Sequence, residues 1–200
     1  MLPRKAGMHI VILLVISLSC SLIASGQRRR TQQTKEQISF GSETLIKRRV
    51  RIPQNVLNQL SDFEDGYLKR CQQDEYSRQQ NIANHFAASA LNINSDGQGD
   101  LIVQAQTQCF MGAHNTTFWI FAKVAQRLYP GYDMIFAKRA DFLGILKSST
   151  NGYRDIETAS HTTLETYTTI WKFDGQNYQP RLCTIQGTTR KVVRVRCSPE

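Results

Sequence analysis

The side chains best suited to chemistry lie in Asn92-Ile93-Asn94-Ser95-Asp96-Gly97-Gln98-Gly99-Asp100, which runs straight into Leu101-Ile102-Val103. Oxygen-bearing side chains at alternate positions, then a glycine that permits a sharp turn, are what a loop needs to wrap a hard cation such as calcium. Asn92, Asn94 and Asp96 would supply the first oxygens, Gln98 a carbonyl, and Asp100 a carboxylate or a water-held contact. The pattern is not an EF-hand, because the loop ends in a strand-like run and Val103 stands where a bidentate Glu belongs. Only two of the five residues are carboxylates, and affinity falls with ligand charge. The same Asn and Asp side chains also suit a turn between strands in which they cap their own backbone.

Catalytic residue types are present but poorly arranged. His85, His114 and His161 have no zincin-like spacing, and no Gly-x-Ser-x-Gly elbow occurs. Asp155 and Glu157 are two apart on a predicted strand and would share a face, with His161 further along. Two carboxylates do hydrolytic work only at a suitable separation across a cleft. Ser160 beside His161 makes no triad, since neighbouring strand residues point to opposite faces. The sequence therefore favours a non-catalytic domain and assigns no catalytic residue. A small secreted hydrolase using Asp155, Glu157 and His161 across strands is the alternative.

These residues need a scaffold, and the apolar pattern describes one. Val56, Leu60, Phe63, Tyr67 and Cys71 recur at three- and four-residue spacing, one apolar face of a helix, with Pro53 fitted to its first turn. Gly66 weakens the middle of that segment. After Phe86 the texture is that of strands. Leu101-Ile102-Val103 and Phe118-Trp119-Ile120-Phe121 are compact apolar runs, and Val193 and Val195 alternate with Arg194 and Arg196. Asn151-Gly152 and Asp174-Gly175 have the chemistry of two-residue hairpin turns, and Pro130-Gly131 suggests a third reversal. The predicted fold class is α+β: an N-terminal helical segment packed on an antiparallel β meander of about seven to nine strands, as a sheet or a partly closed barrel.

Other features concern compartment and partners. Arg4 and Lys5, the apolar stretch Met8 to Ile23, and Ala24-Ser25-Gly26 form the three regions of a secretory signal peptide over 1–26. Cys20 within it offers a weaker lipidation reading. Residues 27–51, with Arg28-Arg29-Arg30 and Lys47-Arg48-Arg49, read as a flexible basic linker, and 52–200 as a single domain. Cys71, Cys109, Cys183 and Cys197 remain after the leader; an even count in an exported chain favours two disulfides. Cys71 with Cys109 and Cys183 with Cys197 is the pairing we expect, with other connectivities left open. The chain carries net charge +9, with 25 Lys and Arg against 16 Asp and Glu, yet the basic runs lack the interleaved aromatics of a nucleic-acid platform.

The stretch Asn-x-Asn-x-Asp-Gly-x-x-Asp-Leu-Ile-Val resembles the calcium loops of FG-GAP (integrin-type) and VCBS-type repeats, present here in a single copy. Most of the domain is similar to a group of uncharacterised bacterial exported proteins. That resemblance runs from Pro53-Gln54-Asn55-Val56-Leu57 through Cys109-Phe110-Met111-Gly112-Ala113, Phe118-Trp119-Ile120-Phe121 and Thr150-Asn151-Gly152-Tyr153-Arg154-Asp155-Ile156 to Phe173-Asp174-Gly175-Gln176-Asn177-Tyr178. It implies a shared fold and export, and no activity. The expectation is an exported binding or structural domain in the periplasm, on the cell surface or secreted. Calcium is the one cofactor suggested. Envelope polymer or another exported protein is the expected partner, met through loops or the basic C-terminal residues Arg190, Lys191, Arg194 and Arg196. Membrane contact is expected only through the leader or a lipid.

Overall fold

The computed structural model describes residues 38–44, 46–63, 81–107, 110–111, 114–125, 130–189 and 191–197. The predicted leader, Cys20, Arg190 and the Cys71–Cys109 pairing lie outside them. The described residues are β-rich, with two antiparallel sheets and one short helix. The strands are β1 (Ser39–Gly41), β2 (Phe86–Leu91), β3 (Asp100–Ala105), β4 (Thr116–Ala125), β5 (Pro130–Ala140), β6 (Phe142–Thr150), β7 (Tyr153–His161), β8 (Thr166–Phe173), β9 (Tyr178–Gln186) and β10 (Val192–Val195). Helix α1 spans Gln54–Phe63. β2 to β5 form one sheet in chain order, and the second runs β1-β6-β7-β8-β9-β10. Both sheets are open meanders rather than turns of one closed barrel.

Strand alternation in β3 and β4 explains why the small sheet is covered twice. Ile102, Phe118 and Ile120 face one way and join Leu143, Ile145, Ile156, Trp171 and Phe173 of the larger sheet in a buried cluster. Leu101, Val103, Trp119 and Phe121 face the other way and join Val56, Leu57 and Leu60 of α1. β3 is accordingly buried at all six positions, and its run Leu101-Ile102-Val103 is the continuous apolar stretch expected of a strand covered on both faces. Gln59 of α1 also reaches the outer edge of the small sheet: its amide donates to the Tyr132 carbonyl (2.5 Å) and accepts from Met134 N–H (3.2 Å). At the opposite edge Val50 N–H donates to the Ala88 carbonyl (2.9 Å). Each edge of the small sheet thus has part of its outward backbone already paired.

Three sequence expectations need correction. Residues 27–51 are not linker to their end: Ser39–Gly41 pairs with β6, and Phe40 and Ile46 are buried. Two apolar side chains among basic ones suffice when each meets a preformed sheet. Pro130-Gly131 is not a turn but the start of β5, paired with Ala125 and Val124 of β4. Pro130 sits where a strand tolerates a missing N–H, at its first residue on an edge. The meander divides into two sheets; among the described residues nine strands follow the helix, within the expected seven to nine, and β1 precedes it. Among the described residues no helix is long and apolar enough to cross a membrane.

Candidate functional site

The Asn92–Asp100 loop links β2 to β3, and its two carboxylates do different things. Asp100 is fully buried; one oxygen accepts the Ile93 N–H (2.9 Å) and the other the Lys123 N–H of β4 (2.9 Å). It fastens the loop to the sheet. Asp96 lies at the exposed tip, accepting from Gln98 N–H (2.7 Å) and from the Asn94 amide (2.9 Å), while Asn94 Oδ1 accepts the Asp96 N–H (3.2 Å). Ser95 and Gly97 take positive φ, 59° and 75°, to make this reversal. A calcium loop turns its carboxylates toward one ion. Here Asp100 is turned into the protein, which leaves Asp96 as the single carboxylate for Asn92, Asn94 and Gln98 to complement. So arranged, the loop presents one outward carboxylate, and calcium affinity falls with ligand charge. Among the described residues no group of three or more His, Cys, Asp or Glu is placed to hold a metal.

Asp155, Glu157 and His161 all lie on β7 but are not gathered. Asp155 is buried, accepts the Thr150 hydroxyl (2.8 Å) and stands 3.8 Å from Lys172 Nζ. His161 is six residues further on, about 20 Å away at the usual rise of an extended strand. Its ring instead meets Asp141 in the turn between β5 and β6, with Nδ1 2.5 Å from the carboxylate. Nothing in the sequence near Asp141 announces this partner; strand register alone creates it.

The arrangement most suited to binding was not apparent from motifs. The larger sheet extends beyond the smaller one, and one face of β8 to β10 lies open. Ladder register sets two rows across this face: Thr158, Thr169, Cys183 and Val195, then Ser160, Tyr167, Ile185 and Val193. All of these but Val193 line a groove of about 560 Å³ and form its floor. At its inner end Trp171 donates from Nε1 to the Thr158 hydroxyl (2.8 Å), and Lys138 Nζ lies 5.2 Å from the Trp171 ring centre. Lys138 and Arg139 of β5 and Arg196 beyond β10 supply its charge, and among the described residues no Asp or Glu lines it. Glu165 lies at the margin, accepting the Tyr167 hydroxyl, and this bond raises the phenol above its ordinary range. A Cys183–Cys197 disulfide ties the end of β10 to β9 and holds the outer wall.

Burial decides the remaining electrostatics. The Tyr178 phenol, well inside the core, is pushed far above its usual range by burial and then by Asp155; its hydroxyl donates to the Arg154 carbonyl (2.6 Å). His85 is held below the ordinary imidazole value by burial, with Nδ1 3.1 Å from the Thr107 hydroxyl. Both are structural residues remote in kind from the open groove. No family model, curated protein or solved structure matches this chain.

Proposed function

We propose that this chain is an exported, non-catalytic binding domain, and that its ligand is an acidic polysaccharide segment of the cell envelope held in the groove over β8 to β10. The observation that carries the reading is the groove's composition: a floor of threonines and aliphatic side chains, a rim of Lys138, Arg139 and Arg196, and no carboxylate among the described residues that line it. Guanidinium and ammonium groups recognise carboxylate and phosphate, and hydroxyl rows complement sugar hydroxyls. Such a rim also draws an anionic polymer in, an effect that fades with salt. Export is supported by the leader-like 1–26 segment and is consistent with the Cys183–Cys197 disulfide. The hydrolase alternative gains nothing from Asp155, Glu157 and His161, which are strung along one strand.

The test is calorimetric titration of the purified chain with polygalacturonate, with neutral dextran and poly-glutamate as comparators. Binding should appear with polygalacturonate, weaken at least tenfold in Lys138→Ala/Arg196→Ala, and weaken again in 0.5 M salt by roughly the screening expected of exposed charges. Equal binding to dextran removes the charge argument. Equal binding to poly-glutamate removes the sugar.

A further inference from the structure

The groove leaves unused a second cluster at the far end of β7. His161 is 51% exposed, and the Asp141 carboxylate beside it, 13% exposed, is pinned: one oxygen accepts the His161 backbone N–H (2.6 Å) and lies 2.5 Å from the same residue's Nδ1. The His114 ring lies beside it, with ring centres 5.6 Å apart and planes inclined by 35°. Ser42, just after β1, joins the segments that carry these groups. Its N–H donates to the Asp141 carbonyl (2.7 Å) and its hydroxyl to the His114 carbonyl (2.7 Å). Residues 72 positions apart are thereby held side by side.

We infer that His114 and His161 form a two-imidazole site for a borderline transition-metal cation, Cu²⁺, Ni²⁺ or Zn²⁺, with Asp141 as the supporting carboxylate. A metal bound at about 2.1 Å from a ring nitrogen lies about 3.2 Å from the ring centre, so two such rings stand roughly 5 to 6 Å apart. The observed spacing falls in that range. Asp141 on Nδ1 leaves Nε2 of His161 as the ligating atom and fixes the ring's tautomer, the arrangement metal-binding histidines ordinarily have. Because Asp141 stands behind His161 and not at the metal, the cluster is a two-ligand site, completed by water and open to solvent. Imidazole pairs select copper, nickel and zinc over calcium and magnesium, which prefer oxygen.

The inference is independent of the groove. It is tested by titrating the purified, disulfide-intact chain with CuCl₂ and NiCl₂ and following affinity by calorimetry. The histidine ring resonances are followed in parallel by NMR. Saturable one-to-one binding is expected, reduced at least tenfold by His114→Ala or His161→Ala and tenfold or more by Asp141→Asn, the loss typical of a supporting carboxylate. Acidification should weaken it, because protons compete for the same nitrogens. In the wild-type chain the His114 and His161 resonances should broaden with sub-stoichiometric Cu²⁺ before that of His85, a reading that needs no variant. Equal affinity in wild type and His114→Ala/His161→Ala, or broadening of His85 simultaneous with that of His114 and His161, would overturn the site.

Discussion

Asp100 shows how one buried side chain can decide the behaviour of a loop. Its carboxylate bridges the Ile93 N–H in the loop and the Lys123 N–H in β4, so loop and sheet are locked by the same group. Hydrogen bonds to a charged group contribute about 1.5 to 3 kcal/mol each, so losing both in Asp100→Ala should lower stability by roughly 3 to 6 kcal/mol, and Asp100→Asn, which keeps one acceptor, by less. Urea unfolding measures both. The same curves with saturating calcium should superimpose on those without it, since only a ligand that prefers the native state stabilises it. His85 gives a second prediction. Burial lowers its pKa in the folded chain, so as pH falls below about 6.5 the unfolded chain takes up the proton first. Stability is therefore lost from that pH down to the lower folded-state value and is constant below it. His85→Gln, which retains a polar group near Thr107, should flatten this window; an unchanged slope would mean that His85 does not cause it. At this scale the sequence was legible only in part. It displayed the alternating oxygens of Asn92 to Asp100, but not that Asp100 turns inward. It displayed His161 but not Asp141, because that contact depends on how β6 and β7 are registered.

At the scale of elements, local chemistry was the readable part. Asn151 and Gly152 take φ of 52° and 81°, as a two-residue Asn-Gly turn requires, whereas Asp174-Gly175 opens a four-residue loop between Phe173 and Tyr178 in which Gly175 alone takes a positive φ, 115°. Asp174 is further fixed by the Gln176 and Asn177 N–H groups (2.9 Å each), which hold its carboxyl below the usual range. The helix at Pro53 and the apolar strands were equally plain, since period and turn chemistry are written within a dozen residues. Ser39–Gly41 was hidden because three residues with one buried Phe carry no periodicity, and their strand exists only because β6 offers an edge. The terminal strand is where stability should be least uniform. β10 is short, on an edge, with Val192 and Val193 exposed, and the Cys183–Cys197 bond closes a separation of 14 residues. A loop of that size corresponds to about 3 kcal/mol of stabilisation, so Cys183→Ala/Cys197→Ala should lose roughly that amount. Hydrogen exchange should show β10 amides losing protection while β6 to β8 remain protected. Uniform loss across the sheet would mean that the disulfide supports the whole core.

For the whole molecule, the decisive fact is a mismatch of areas. A four-stranded sheet buried on both faces cannot cover six strands, and the part of the larger sheet left over is the groove floor, rimmed by Lys138 and Arg139 of β5 and by Arg196 beyond β10. Alternation predicts which side chains share a face once pairing is known, but not how far one sheet overlaps another; that is why the groove was illegible in the sequence while its residues were in view. The most direct test is a titration of isotope-labelled protein with polygalacturonate, followed through backbone amide shifts. Perturbations should cluster at Thr169, Cys183, Ile185, Val195 and Arg196, leaving the Asn92 to Asp100 loop and β2 unmoved. Shifts centred on that loop, or none at concentrations where dextran also gives none, would contradict the assignment of the groove as the binding face.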